Sequence, residues 1–265
     1  MDIVVYIIIF VLGLCFGSFV NMLVYRTALR YKLTKSKFLI SNDKKNRSFC
    51  DYCGKQLSWY ENVPMISWLV QTGKTRCCGK KLPVSYPVVE MMMGLLFLLR
   101  FQMSDFSSQL FILLVSLVII VLLVFSAVFD WKYMILPDFS TGILVVCAIV
   151  LWLGTIRESP LQYLLSALVA SGFLLILNLI TKGEGMGMGD VKLAVFMGLF
   201  LGHPNIIVAF YVAFIIGAIY GIILMIFKKA KKKSQIPFGP FLILGTLVAW
   251  FWGSNIINLV FSILY

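Results

Sequence analysis

The chain has 265 residues, of which 61% are hydrophobic and 13% charged, and its formal net charge is +12. Soluble domains are typically about half apolar, so this composition excludes an ordinary soluble enzyme. It predicts an all-α integral membrane protein, whose architecture is best estimated by counting apolar stretches of about 20 residues.

Eight apolar runs alternate with polar segments along the chain. The first apolar run begins at Ile3, and Asp2 is the only charged residue before it. The run therefore lacks the basic segment of a cleaved signal peptide and is expected to be retained. We predict about eight transmembrane helices, some of them short, within three regions: a first helix at 1–25, a cysteine-containing loop at 26–85, and a multi-helix membrane domain at 86–265. The runs are 3–24, 86–99, 110–129, 139–156, 161–181, 191–202, 205–227 and 237–252.

Lysine and arginine fall almost entirely on one side of these runs. Of 23 basic residues, 21 lie in the loop after the first run, near residues 130 and 187, or in the lysine run at 228–233. The opposite side has only Arg100 and Arg157. Basic residues accumulate on the cytoplasmic side of membranes, so these segments are predicted to be cytoplasmic and both termini outside. The charge favours contact with anionic membrane lipids and disfavours a nucleic-acid partner.

Glycines alternate between residues 183 and 189, where two apolar runs are interrupted. Because glycine has no Cβ, another segment can approach this backbone closely. Asp190 follows directly and precedes the next apolar run, where an ionisable group is costly and indicates function. The alternative is that Asp190 only caps the following helix by accepting its free amides.

Two further carboxylates lie where the third run ends. Pro137 disfavours helix at the preceding residue and Asp138 directly precedes the fourth run, so Asp138 is predicted to cap that helix. Asp130 has no helix start behind it, although Lys132 can pair with it at the surface. Asp130 and Asp190 are predicted to share one membrane face, so they can meet.

Two carboxylates within a few ångströms of each other cannot both ionise cheaply, so one stays protonated while the other is charged. Such a pair can activate water against a carbonyl without a metal or a covalent intermediate. His203 is the only histidine and is predicted to lie on the outer side, which excludes a histidine-dependent nucleophile facing the cytoplasm. We therefore predict Asp130 and Asp190 as the catalytic residues of a hydrolase.

The polar loop contains four cysteines. Cys50 and Cys53 form a thiol pair on a tight turn before Gly54, which is typical of half a zinc site, and Cys77 and Cys78 provide two more thiols. A four-thiolate zinc site is the leading interpretation. A three-thiolate site and a reduced loop without metal are the alternatives, whereas a structural disulfide is disfavoured in the cytoplasm.

Five motifs in order along nearly the whole chain resemble those of the type IV prepilin peptidases, membrane aspartyl proteases of the GxGD type. They are residues 13–21, Tyr86-Pro87 with Glu90, Asp130 with Leu136-Pro137-Asp138, residues 187–193, and residues 236–241.

The resemblance implies removal of short basic leaders from prepilins and pseudopilins at the cytoplasmic face of the bacterial inner membrane. It implies that Gly187, Gly189 and Lys192 belong to an active-site loop beside the two aspartates. Many members of this family also methylate the new N-terminal residue with S-adenosylmethionine, and the resemblance makes Glu90 the candidate methylation site.

The cysteine loop departs from the family pattern, which contains a second C-x-x-C. Cys78 falls on the family's fourth cysteine position, whereas Thr75 occupies the third and the extra cysteine is Cys77. Two adjacent cysteines can bind one metal, although less comfortably than a pair with a two-residue spacer.

Two other functions are compatible with the sequence. An ion-coupled transporter or channel could use Asp130 and Asp190 as an ion relay, but acids deep within the membrane would favour it and both aspartates lie at predicted span ends. A methyltransferase without protease activity is the third hypothesis, and the intact pair of aspartate motifs argues against it.

Overall fold

The computed structural model describes residues 3–34, 48–50, 52–103, 110–154, 160–183, 185–227 and 236–264, and within them every regular element is helical. A short 3₁₀ helix, Trp59–Asn62, accompanies the α-helices. The α-helices are α1 Ile3–Arg30, α2 Ile66–Val70, α3 Ser85–Gln102, α4 Leu110–Tyr133, α5 Asp138–Gly154, α6 Pro160–Ile180, α7 Met188–Leu201, α8 Asn205–Ile226 and α9 Gly239–Leu264.

Each of the eight predicted apolar runs coincides with one helix, so the prediction of an all-helical chain is confirmed for the described residues. Among them, α1, α4, α6, α8 and α9 are long and apolar enough to cross a membrane, and α5 is a shorter apolar helix. The 14 residues of α7 extend only about 21 Å, less than the hydrocarbon thickness of about 30 Å. Within the described ranges, five helices are thus long and apolar enough to cross a membrane, and the predicted count of eight is not confirmed.

Two helices extend furthest beyond their predicted boundaries. The first continues to Arg30, inside the segment predicted as loop, because Val24, Thr27 and Ala28 extend its buried stripe at helical spacing. The last continues through the apolar tail to Leu264. The lysine run at 228–233 and Arg157 lie outside the described residues.

The described chain forms two compact units, Met1–Phe125 and Ser126–Tyr265, whose boundary lies within α4. In the first unit, α1 packs against α3 through glycines. A Cβ on Gly13 would lie 2.7 Å from the Gly94 Cα, and a Cβ on Gly17 would lie 2.5 Å from the Glu90 Cα. Small residues let helix backbones approach closely, so this contact brings Glu90 directly against α1.

The second unit is built from two tight helix pairs. Gly198 of α7 lies against the backbone of Ala167 in α6, and Gly245 of α9 lies against the backbone of Ala209 in α8. Any side chain larger than hydrogen at residues 198 or 245 would clash with the neighbouring backbone. These contacts fix the positions of α7 and α9, whose first turns form the site described below.

A short turn joins α4 to α5. Met134 adopts a φ of 56°, and the chain then continues through Pro137 into α5. The Ser126 hydroxyl donates to the Ser140 Oγ at 3.0 Å, and Ser140 in turn donates to the Pro137 carbonyl at 2.8 Å. Both serines are fully buried, so this chain of hydrogen bonds fastens the two helices beside Asp130.

Candidate active site and metal centre

Asp130 lies in the last turn of α4 and is buried, with 5% of its surface exposed. Its Oδ2 accepts a hydrogen bond from the amide of Gly239, the first residue of α9, at 3.1 Å. The carboxylate therefore lies at a helix amino terminus, where free amides and the helix dipole favour negative charge. A Cβ at residue 239 would lie 2.6 Å from the same oxygen, so the approach requires glycine.

Asp190 is the third residue of α7 and is equally buried, at 6% exposure. Its Oδ2 accepts a hydrogen bond from the Gly187 amide at 3.1 Å, which completes half of a capping box. The alternative raised by the sequence, that Asp190 caps a helix, is thus correct for one of its oxygens. Both aspartates use Oδ2 for these bonds, which leaves Oδ1 of each available to water or substrate.

The two aspartates line one cavity of about 1270 Å³ in the second unit. Their carboxylates are close enough to interact electrostatically. Gly187, Gly189 and Lys192, predicted as an active-site loop, line the same cavity. Two acids of low solvent exposure thus line the same cavity, an environment in which neighbouring carboxyl groups can differ in protonation state.

The alternating glycines let the α4–α5 turn approach the start of α7. A Cβ on Gly189 would lie 2.9 Å from the Leu136 Cβ, an atom that cannot move without its backbone. A Cβ on Gly187 would meet only the Asp190 Oδ2, at 3.5 Å, which is ordinary van der Waals contact. Of the two glycines predicted for the active-site loop, close packing therefore requires the one at residue 189.

Asp138 does not have the role that the sequence predicted. It is the first residue of α5, and its Oδ1 lies 2.6 Å from the Lys192 Nζ. The predicted capping role is corrected, because Asp138 is already a helical residue and the Ser140 and Thr141 amides donate to the Pro137 carbonyl. The Asp138 carboxylate instead pairs with Lys192 of α7. Since Asp138 and Lys192 are 72% and 50% exposed, water screens most of the attraction.

Sequence reasoning missed Gly239 as a partner of Asp130. The two residues are 109 positions apart, and the motif at residues 236–241 signals only the start of a helix. A helix start that follows proline supplies free amides, and that was the available signal. His203 does not line the cavity that contains Asp130 and Asp190, and its carbonyl accepts a hydrogen bond from the Gln162 side chain at 2.7 Å.

The four loop cysteines come together in the first unit. Their Sγ atoms all lie within 4.8 Å of one another, with 3.2 Å between Cys53 and Cys77 and 3.8 Å between Cys50 and Cys78. Four thiolates around a tetrahedral zinc are about 3.8 Å apart when each Zn–S bond is about 2.3 Å. The cluster therefore fits a zinc ion with small adjustments.

Two turns of the same construction present these thiols. In the first, the Cys50 amide donates to the Lys55 carbonyl and the Gly54 amide to the Cys50 carbonyl, both at 2.8 Å. In the second, Thr75, Gly79 and Lys80 make the same two bonds at the same lengths. Thr75 thus occupies the place in the second turn that Cys50 has in the first, and Cys77 reaches the cluster from between the ends of that turn.

The hydroxyl of Thr75 contacts the cluster in place of a thiol. Its Oγ1 lies 3.1 Å from the Cys78 Sγ and accepts a hydrogen bond from the Lys80 amide at 3.0 Å. The Thr75 hydrogen bond lowers the pKa of Cys78 to about 7. Desolvation, followed by hydrogen bonds with Cys53 and Cys50, raises the pKa of Cys77 to about 12.

Glu90 lies in α3 with 7% of its surface exposed. Its Oε2 accepts a hydrogen bond from the Met65 amide at 2.7 Å, and its carboxylate also bonds the side chain of Ser18. Tyr86 lies one turn before Glu90 in α3, and its carbonyl accepts a hydrogen bond from the side-chain amide of Asn21 in α1 at 3.2 Å. The buried Asn21 Oδ1 has no partner in the described structure. The contact between α1 and α3 thus contains two hydrogen-bond acceptors, the Glu90 carboxylate and the Asn21 Oδ1.

Comparison with known proteins gives a consistent result along the chain. Residues 11–103 match the family model of the bacterial peptidase A24 N-terminal domain, and residues 117–222 match that of the type IV leader peptidase family. No solved structure shows significant similarity to this chain.

Three relatives named prepilin leader peptidase/N-methyltransferase illustrate the similarity. The Bacillus subtilis protein is 31% identical over 251 residues, covering 95% of this chain and 96% of its own length. The Vibrio cholerae protein is 30% identical over 256 residues, covering 93% and 97%. The Legionella pneumophila protein is 29% identical over 278 residues, covering 96% and 93%. The chain thus belongs to the type IV leader peptidase family, the family of the prepilin leader peptidase/N-methyltransferases.

Proposed function

We propose that this protein is a prepilin peptidase that removes the basic leader of type IV prepilins or pseudopilins, with Asp130 and Asp190 as its catalytic pair. The observation that carries the proposal is the shared cavity, in which two buried carboxylates are each held by one backbone amide at a helix start. The charged member takes a proton from water as the water oxygen attacks the scissile carbonyl. The neutral member donates its proton to the carbonyl oxygen, and the amine then leaves with a proton.

Gly187, Gly189 and Lys192 form the active-site loop in this proposal. Gly187 holds Asp190 through its amide, and Gly189 admits Leu136. Lys192, in the second turn of α7, pairs with Asp138 at the start of α5. These contacts connect the segments that carry the two aspartates, so they support a positioning role for the loop.

The proposed topology has eight membrane segments in the bacterial inner membrane, with both termini outside and the dyad on the cytoplasmic face. The first helix, the cysteine loop and the catalytic domain remain the proposed regions, and anionic lipids are the proposed contacts of the basic side. The one-sided distribution of basic residues supports this orientation. If an impermeant thiol reagent labelled the loop cysteines in intact cells, the orientation would be wrong.

The proposed metal is one structural zinc held by Cys50, Cys53, Cys77 and Cys78. The spacing of their sulfur atoms and the paired turns support it. The ion would cross-link the two turns, and structural zinc sites of this kind contribute directly to folding. Elemental analysis of purified protein should find one zinc per chain, and a metal-free preparation with full activity would refute a structural role.

We further propose N-methylation of the newly exposed N-terminus at Glu90. A carboxylate beside the unpartnered Asn21 Oδ1 presents two acceptors, which suits an amine. S-adenosylmethionine would supply the methyl group when bound, and Glu90 would orient the amine and receive its proton. The name of the relatives supports the activity.

One experiment separates these activities. Purified protein is incubated with a synthetic prepilin-like peptide and S-adenosylmethionine, and product masses are read. Cleavage shortens the peptide, and methylation adds one methyl group to the shortened product. A wild-type protein that leaves the peptide intact would refute the peptidase and favour the ion-transport alternative.

A further inference from the structure

The segment at residues 58–72 lies between the two cysteine turns. At one end the Leu57 amide donates to the Ser48 carbonyl at 2.9 Å, and at the other the Leu82 amide donates to the Gly73 carbonyl at 2.8 Å. The sulfur atoms of the two turns lie within 4.8 Å of one another. The cysteine cluster therefore joins the two ends of this segment.

This segment has no core of its own. Neither its 3₁₀ helix nor α2 contains a buried residue. Large apolar side chains face outward, with Trp59 81%, Ile66 61% and Leu69 60% exposed. Without buried apolar contacts, the position of the segment depends on its ends and on any contact that it makes with the helices.

The middle of the segment makes such a contact. Met65 donates its amide to the Glu90 Oε2 at 2.7 Å. Met65 has φ 60° and ψ −53°, the centre of a γ-turn that is closed by the Ile66 amide and the Pro64 carbonyl at 2.6 Å. This turn is rare and strained for a residue other than glycine, so it persists only when its surroundings impose it.

We propose that the metal-bound cysteine cluster is a positioning device for Glu90. By closing the ends of the segment, the metal holds Met65 in its strained turn with its amide on the Glu90 carboxylate. Met65 is then a positioning residue that orients the carboxylate through a backbone hydrogen bond. The inference rests on the proposed zinc site and gives the cysteine loop a role at the proposed methylation site.

Hydrogen exchange of the purified protein, read by mass spectrometry, tests this coupling. Protein stripped by a chelator is compared with the same protein after zinc is added back. Because Met65 donates to a charged acceptor, zinc should slow exchange in peptides that contain residue 65 by about tenfold or more. Exchange within α3 should hardly change.

Variants separate the contact from the metal. Glu90→Ala should raise exchange at residue 65 while the protein keeps its zinc, and Glu90→Gln, which retains an acceptor oxygen, should restore part of the protection. Met65→Gly keeps the N–H and tolerates a φ of 60°, so its protection should remain. Cys53→Ser should mimic metal removal, whereas Cys147→Ser, a thiol outside the cluster, should not.

Three results would overturn the proposal or its basis in distinguishable ways. If the protein binds no zinc, the proposed metal site fails and the coupling fails with it. If zinc binds but exchange at residue 65 stays the same, the coupling alone is wrong. If removal of zinc raises exchange throughout α3, the metal stabilises the helix pair and not the turn, and the positioning role is wrong. None of these outcomes depends on enzymatic activity.

Discussion

Asp130 and Gly239 are 109 residues apart, yet the Asp130 carboxylate accepts the first amide of the helix that begins at Gly239, at 3.1 Å. Asp190 makes the corresponding bond with Gly187 at the start of α7. Each acid is thus oriented by a backbone amide whose position depends on a helix start, and each keeps its other oxygen for chemistry.

Gly239→Ala should reduce cleavage strongly, because its Cβ would lie 2.6 Å from the Asp130 Oδ2 and must displace the carboxylate or α9. We expect a loss of at least about tenfold in kcat/KM, since displacement of a catalytic group by about 1 Å can cost far more. The matched control is Gly142→Ala, whose Cβ meets nothing within 4 Å. Equal activity of the two variants would show that Asp130 does not need its place beside residue 239.

Asp138 and Lys192 should contribute modestly and as a pair. Their ion pair is exposed, so Asp138→Asn should lower the free energy of unfolding by less than about 1 kcal/mol and retain most of the cleavage activity. A double-mutant cycle with Lys192→Met measures the coupling. If the lysine acts only through Asp138, the double variant should resemble either single variant. A much larger loss in Lys192→Met alone would instead indicate direct contact of Lys192 with substrate.

Moving one thiol should restore the regular form of the metal site. Cys77→Ser leaves three cysteines and should bind zinc more weakly, whereas Thr75→Cys combined with Cys77→Ser places the fourth thiol where the paired turns expect it. We predict tight binding and a four-thiolate cobalt spectrum for the double variant. Wild-type affinity in Cys77→Ser would contradict the assignment of Cys77 as a ligand.

Zinc affinity should depend on pH in a way set by the Thr75 hydroxyl. Zinc binds thiolates, so protons compete with it and affinity should fall as pH falls. With a Cys78 pKa of about 7, that thiol is mostly protonated at pH 6 and mostly ionised at pH 8, so binding should release fewer protons at pH 8. Thr75→Val removes the hydroxyl and should raise that pKa. Zinc titrations by calorimetry, in two buffers of different ionisation enthalpy, should then show that zinc binding at pH 8 releases more protons from the variant than from the wild type. An equal number of released protons would contradict the role of Thr75.

The helical class could be predicted from sequence, because apolar runs depend on local composition. Asp130 and Asp190 line one cavity, as expected from the one-sided charge that predicts a common membrane face for them. The predicted cap at Asp138 was wrong because a cap and an interhelical ion pair share the same sequence signal, an acid before an apolar run. Met65 was missed because nothing in the sequence marks its amide as a donor to Glu90. Gly239 was missed because a helix start shows that free amides are present but not which distant acid accepts from them. Thr75 illustrates a different limit, since the family pattern places it at the third cysteine position but only the structure shows its hydroxyl beside the Cys78 thiol.

The central claim is that Asp130 and Asp190 activate one water molecule, and the cleavage rates of Asp130→Asn, Asp190→Asn and the double variant test it most directly. Asparagine keeps the size of the side chain but cannot share an ionisable proton. Each single variant, folded normally, should lose about 10²–10⁴-fold in cleavage rate, because general acid–base catalysis contributes about that much. The double variant should be hardly slower, because residues that act as one unit are not additive. A folded Asp130→Asn or Asp190→Asn variant that cleaves at nearly the wild-type rate would contradict the account.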